Sequence, residues 1–191
     1  MKTKKQSINN MLHAKDTWSY LRERGSPMFK LLASLIPKEC KFTLDVGCGD
    51  ALILDHLSTN IFYDGFDISD FVIDKNYQVH KERIALGVCN FYNDDMFNPS
   101  MTANYDCILF FGIFPTFKPE KILDLINLYI QKYHPSYILI EDIKNTDLQI
   151  IEKNFNVIEK LDCKFDLVDR NLAVGPKEIL NRRQILLVKI K

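Results

Sequence analysis

No run in this sequence approaches the roughly 20 consecutive apolar residues that a helix needs to cross a bilayer. Lys2, Lys4 and Lys5 give a basic start, but no apolar stretch of signal-peptide length follows them, so an export signal is not expected either. Neither sign of charge is in surplus: 25 Lys and Arg stand against 25 Asp and Glu, for a formal net charge of zero. Binders of nucleic acid or anionic membrane usually carry excess positive charge, so neither partner is expected. Cysteine is sparse and irregularly spaced. Cys40, Cys48, Cys89, Cys107 and Cys163 form no C-x-x-C and are odd in number, which argues against a disulfide framework and a zinc site. That usage fits a reduced, cytoplasmic setting with no metal. Internal repeats, low-complexity tracts and Gly/Ser-rich linkers are also missing. The 191 residues, 47% of them hydrophobic, suffice for one domain with a sizeable core.

The pattern turns on the stretch from Leu44 to Leu52. Phe42, Leu44 and Val46 alternate as in a strand, whereas Leu52, Ile53, Leu54 and Leu57 recur at helical spacing, so the period switches across Gly47 and Gly49. Glycines there allow a tight turn and let backbone N–H groups approach a ligand. The helix expected after them would direct its positive end at the same point. A dinucleotide-binding turn calls for G-x-G-x-x-G, its third glycine letting the helix approach the strand beside a pyrophosphate. Leu52 occupies that place, which favours a ligand without a diphosphate. Asp67 closes a second apolar run 20 positions after Gly47. At that separation a βαβ unit brings an acid alongside the ligand of its first turn, where it can accept from both hydroxyls of a ribose.

Asp45-Val46-Gly47-Cys48-Gly49 resembles the first motif of class I S-adenosylmethionine-dependent methyltransferases, and Gly65-Phe66-Asp67-Ile68-Ser69 is similar to the family's usual second-strand end. The resemblance implies an α/β, three-layer αβα sandwich with a doubly wound, mostly parallel seven-stranded sheet and an antiparallel last strand. It assigns residues 40–191 to that domain and residues 1–39 to an N-terminal helical segment covering the site. It also implies S-adenosylmethionine as cofactor, contacted by Asp45, Gly47, Cys48, Gly49, Asp67 and Ile68. At the end of the third strand the family has an acid for the adenine amino group and then an apolar residue against the ring. Asp95 with Met96 fits that pattern, and a one-residue slip would put Asp94 in the acid's place. The end of the fourth strand, Phe110 and Phe111, would lie beside the methionine part of the cofactor. Ala51 stands where the family often has one more glycine.

The remaining elements follow from pattern. Residues 1–24 are polar and weakly periodic, with Ile8, Met11 and Leu12 as a short apolar stripe. Ser26-Pro27 reads as an N-cap with proline at the first helical position, opening a helix with Met28, Leu31, Leu32, Leu35 and Ile36 on its apolar face. Ser69 is placed to cap a helix over roughly 69–86 with Ile73, Tyr77, His80 and Ile84 on one face, which makes His80 a packed residue. Strands are expected at 88–92, 105–112 and 137–140, the second almost continuously apolar, as in a strand covered on both faces. Pro119 opens the clearest helix, with Ile122, Leu125, Ile126, Tyr129, Ile130 and Tyr133 along one side. A short helix over 146–154 and two extended runs at 157–165 and 183–190, with no helical crossover between them, complete the chain.

The expected activity is methyl transfer from S-adenosylmethionine to a small-molecule acceptor through an oxygen nucleophile. A sulfonium is already a good leaving group, so the protein's main task is to hold nucleophile, methyl carbon and sulfur in line. Glu141, Asp142 and His13 are the candidate bases for a hydroxyl acceptor, Glu141 and His13 foremost. A carboxylate, phosphate or thiolate acceptor would need none. Trp18, Tyr20 and Phe114 are the candidate acceptor-binding aromatics. Adenine-methylating members of the family carry Asn/Asp-Pro-Pro-Tyr/Phe after the fourth strand, where this chain has Phe111-Gly112-Ile113-Phe114-Pro115, so that substrate is not expected. Three alternatives stay open: an RNA or protein methyltransferase, given Lys2, Lys4, Lys5, Arg22 and Arg24; a non-catalytic cofactor-binding or scaffolding protein; and an NAD-dependent oxidoreductase. The oligomeric state is open.

Overall fold

The computed structural model describes Arg22 and residues 25–115, 117–143, 147–165 and 182–190. Its elements are α1 (Ser26–Leu35), β1 (Phe42–Val46), a 3₁₀ turn (Leu52–His56), β2 (Phe62–Asp67), α2 (Asp70–Val79), α3 (Lys81–Ala85), β3 (Cys89–Asn93) and β4 (Cys107–Phe111), then α4 (Pro119–Tyr133), β5 (Tyr137–Ile143), α5 (Gln149–Asn154), β6 (Asn156–Lys164) and β7 (Arg182–Lys189). All seven strands form one sheet in the order β3-β2-β1-β4-β5-β7-β6. The first five run parallel, and β7 lies antiparallel between β5 and β6.

Alternation along the buried strands feeds two cores. Cys107 and Leu109 of β4, with Leu139 of β5 and Tyr63 of β2, face Met28 and Leu32 of α1 and Ile53 and Leu54 of the 3₁₀ turn. Ile108, Phe110, Ile138 and Ile140 face the other way, onto Ile122, Leu125, Ile126 and Tyr129 of α4. A strand covered on both sides has no polar face to show, which is why 105–112 reads as continuously apolar.

This topology creates the crevice. β1 pairs with β2 on one side and β4 on the other, with Val46 level with both Phe66 and Phe110. The connections leaving β1 and β4 diverge there, and the gap at the carboxyl ends of two such strands is where open α/β sheets take ligands.

Four local expectations change. Gly25, not Ser26, is the N-cap of α1, and it makes no side-chain cap bond. The segment after the glycine turn is a five-residue 3₁₀ turn rather than an α-helix, because Ala51 enters it in the left-handed region (φ 52°) and Leu57 leaves it extended. So short an element contributes little dipole. The 69–86 helix breaks at His80 into α2 and α3. Finally, β5 continues through Glu141 and Asp142 to Ile143, so those acids lie within a strand.

Candidate cofactor crevice

Gly47 (φ +67°), Gly49 (φ +50°) and Ala51 (φ 52°) alternate left-handed conformations through the turn after β1. Glycine carries this without strain. Ala51 bears the Cβ cost, which accounts for a glycine being the easier residue there. The turn is tied down on three sides. Cys48 N–H donates to the Phe66 carbonyl at 2.9 Å, Gly49 N–H to Asp67 Oδ2 at 3.3 Å, and the Asn76 amide to the Gly49 carbonyl at 2.7 Å. A Cβ added at Gly47 would lie 3.6 Å from Ile113 and 3.7 Å from Met96, so the bare glycine keeps open the space between those side chains.

Asp67 ends β2 with its carboxylate fixed by backbone donors: Ser69 N–H reaches Oδ1 at 2.8 Å while Gly49 N–H reaches Oδ2. Ser69 in turn caps α2, its hydroxyl accepting from Val72 N–H at 3.4 Å. A cavity of about 30 Å³ opens beside Asp67, lined by Gly47, Phe66, Ile68, Asp94, Asp95 and Met96. Thus six of the nominated residues (Gly47, Asp67, Ile68, Asp94, Asp95 and Met96) meet at one place. The two acids of the β3 end differ. Asp94 spends both oxygens on its own loop, accepting from Asp95 N–H at 2.9 Å on one and from Ser100 N–H and hydroxyl at 2.7 and 3.0 Å on the other. Asp95 takes Phe97 N–H at 3.1 Å on one oxygen.

Asp45 lies beneath this surface rather than on it. It is 3% exposed and accepts the Tyr63 hydroxyl at 2.7 Å. Burial pushes its carboxyl up to about 7, against the pull of the Tyr63 bond and with the charge of Asp67 adding to the rise. Tyr63 reaches it by lying across Gly65, where a Cβ would come within 2.8 Å of the ring. Cys48 is half-buried, and burial together with Asp45 and Asp67 drives its thiol well above the ordinary range, so it stays neutral. Asp50 lies at the rim with Arg22 and Lys75 as ion partners, the latter at 2.9 Å. Burial opposes its ionisation, but the two cations outweigh that and leave its carboxyl below the ordinary value.

The other side of the crevice is closed. Glu141 is 2% exposed, with Arg183 Nη1 3.0 Å from Oε1. The two are close enough to neutralise each other, and Oε1 receives no other donor among the described residues. Burial raises its carboxyl to about 7 although Arg183 pulls it down. Asp142 points to the opposite face and accepts Phe114 N–H and Ile143 N–H, each at 2.7 Å. Phe110 and Phe114 are fully buried against each other at 5.4 Å, so their rings belong to the α4 core, while Phe111 is half-buried on the α1 side. His13, Trp18 and Tyr20 lie outside the described residues. His80 is packed as expected, 5.6 Å from Phe91, and burial lowers its basicity.

Sequence reasoning missed Tyr63, Asn76 and Ile113. Asn76 left a signal, being the one polar residue in the buried row Val72, Ile73, Asn76 of α2. Tyr63 and Ile113 are apolar in pattern and left none. Among the described residues no helix is long and apolar enough to cross a membrane. None of their His, Cys, Asp and Glu groups is placed to hold a metal.

No family model and no curated protein sequence matches the chain. Solved structures do. Magnesium protoporphyrin IX methyltransferase (ChlM) from Synechocystis PCC 6803, with bound S-adenosylhomocysteine, superimposes with TM-score 0.69 over 97% of this chain and 99% of its own at 12% identity. The N-methyltransferase NodS from Bradyrhizobium japonicum WM9, also with S-adenosylhomocysteine, gives 0.67 over 89% and 87% at 11% identity. The methyltransferase domain of bacterial CtHen1-C gives 0.61 over 84% and 94% at 12% identity. The chain therefore has the Rossmann-like fold of class I S-adenosylmethionine-dependent methyltransferases. At such identities the likeness concerns the fold.

Proposed function

We propose that this chain is a methyltransferase that takes its methyl group from S-adenosylmethionine and delivers it to an oxygen nucleophile on a small molecule. The observation that carries the reading is Asp67, held by two backbone N–H groups directly beside the Gly47–Gly49 turn. The residues suit the cofactor: Gly47 leaves the space a side chain would fill, and Leu52 stands where a pyrophosphate site would want glycine. Asp67 would take the ribose hydroxyls, Ile68 and Met96 would flank the adenine, and Asp95, the acid directly before Met96, would accept from its amino group, with Asp94 holding the loop beneath it. Gly47, Cys48 and Gly49 would pass beneath the methionine part, with Phe111 at the end of β4 beside it. When bound, the cofactor supplies an electrophilic methyl on a positively charged sulfur.

The chain's own work is then alignment and exclusion of water. Glu141 and Asp142 are committed to Arg183 and to the Phe114 amide. This favours an acceptor that arrives as its anion, a carboxylate above all, over a hydroxyl that must be deprotonated in place. For a hydroxyl acceptor the proposed bases are His13 and Glu141, and Glu141 could serve only when freed from Arg183 and opened to the crevice. Residues before Gly25, with His13, Trp18 and Tyr20, are proposed to cover the acceptor.

Calorimetric titration with S-adenosylmethionine, S-adenosylhomocysteine and NAD tests the reading. Binding of both adenosyl ligands without NAD is expected, followed by turnover in a methyl-donor assay with small carboxylic acids. Binding of NAD alone would replace this reading with an oxidoreductase.

A further inference from the structure

At the opposite edge of the sheet, where the strands begin, the connection between β3 and β4 contains no helix, and the first residues of β1 and β2 are exposed while the rest of both strands is largely buried. Phe42 and Phe62 stand opposite each other in that register, with rings stacked at 5.1 Å and 16° and still 47% and 44% exposed. Beside them is a hollow of about 170 Å³ whose polar lining is Asp64, Asn90, Asn104 and Tyr105. Asp64 is half-buried and aimed by two neutral donors, the Tyr105 hydroxyl at 2.8 Å and the Asn90 amide at 3.2 Å. Among the described residues no Lys, Arg or His forms an ion pair with it.

We propose that this hollow binds a guanidinium group, presented by an arginine side chain of a polypeptide partner. The carboxylate rejects anions, and a purely apolar occupant would strip water from Asp64 and give it no counter-charge. An ammonium would satisfy the charge but cannot lie flat on the rings. A guanidinium does both: each Asp64 oxygen has accepted one hydrogen bond and keeps a second lone pair for the fork, while the weakly hydrated plane stacks on an aromatic face. The volume suits the head and part of the stem of one long side chain, leaving the rest of the ligand outside. Asn90 belongs to β3, the outermost strand, whose outer backbone edge can pair with an extended peptide.

The experiment is an NMR titration of the full chain with acetyl-Gly-Arg-Gly-amide. Saturable shifts are expected at the amides of Phe42, Phe62 and Asn90, with affinity about tenfold weaker for the lysine peptide and no binding of the neutral citrulline peptide. Asp64→Asn should abolish the shifts without moving the melting temperature. If that variant unfolds, the citrulline peptide on the unaltered chain decides the same point, and Phe62→Ala should weaken binding independently. The proposal is overturned by absence of saturable shifts, by equal binding of the citrulline or lysine peptide, or by agmatine binding as tightly as the peptide, which would mark a small-molecule site. None of these outcomes depends on methyl transfer, so the two readings stand or fall separately.

Discussion

Asp67 and Glu141 lie on either side of the point where the strand order reverses, and the protein holds them in opposite ways. Asp67, in the half built from β1, β2 and β3, is oriented by the amides of Gly49 and Ser69 and borders the crevice. Glu141, in the half built from β4, β5 and β7, is sealed against Arg183, while its neighbour Asp142 fastens the loop after β4. Backbone donors fix a carboxylate while preserving its charge for a ligand. A buried counter-ion spends that charge on the fold. One half is therefore prepared for recognition and the other for rigidity.

The largest effect is expected on the rigid side. Arg183→Met leaves Glu141 buried without its partner and should cost about 3–5 kcal/mol in denaturant unfolding at pH 8, with most of it recovered in the double variant with Glu141→Leu. An undiminished stability would mean that the two halves hold their acids alike. On the recognition side, Asp67→Ala should weaken S-adenosylhomocysteine binding by about a hundredfold in calorimetry, the worth of two charge-assisted hydrogen bonds, at a stability cost of about 1–3 kcal/mol from the Gly49 and Ser69 amides that lose their acceptor. Unchanged affinity would sink the assignment of that half. Gly65→Ala sharpens the contrast, because its Cβ would displace Tyr63 from Asp45. A loss of about 1–3 kcal/mol in melting experiments is expected.

The gentlest test is pH. The folded carboxyls of Asp45 and Glu141 titrate near 7, above their ordinary 3.8 and 4.5. Between about pH 4 and pH 7 the folded chain thus binds more protons than the unfolded one, so stability falls as pH rises through that window, by about 1 kcal/mol per pH unit for each group, and levels off above it. Melting temperatures at pH 5 and pH 8 read the two acids less the opposing contribution of His80, whose lowered basicity makes stability rise with pH up to its ordinary 6.5. Asp45→Asn should remove the cradle-side share, and a melting temperature that rises with pH would contradict the burial of both acids.

How much of this was legible depends on the range of the interaction. The glycine turn, Asp67, the Ser69 cap and the apolar face of α4 are local patterns, and each stands where its residues place it. The end of β5 escapes a local reading because Glu141 and Asp142 look like a strand terminus, while partners distant in sequence, Arg183 and the Phe114 amide, help to make their burial tolerable. The segment after Ala51 carries helical spacing over too few residues to sustain a helix, and its left-handed entry is invisible to periodicity. Asp45 sits in a recognisable motif, yet its partner is a tyrosine that reads as an ordinary strand residue.

The central position of β1 also has a consequence in time. Its neighbour β2 follows directly in the chain, but β4 can pair with it only after β3 and the long connection beyond have been traversed. Closing that long loop costs more chain entropy than pairing neighbours in sequence, so the crevice is expected to be completed after local elements such as α4 have formed. A ligand seated there would hold the finished chain against unfolding while leaving its folding rate unchanged.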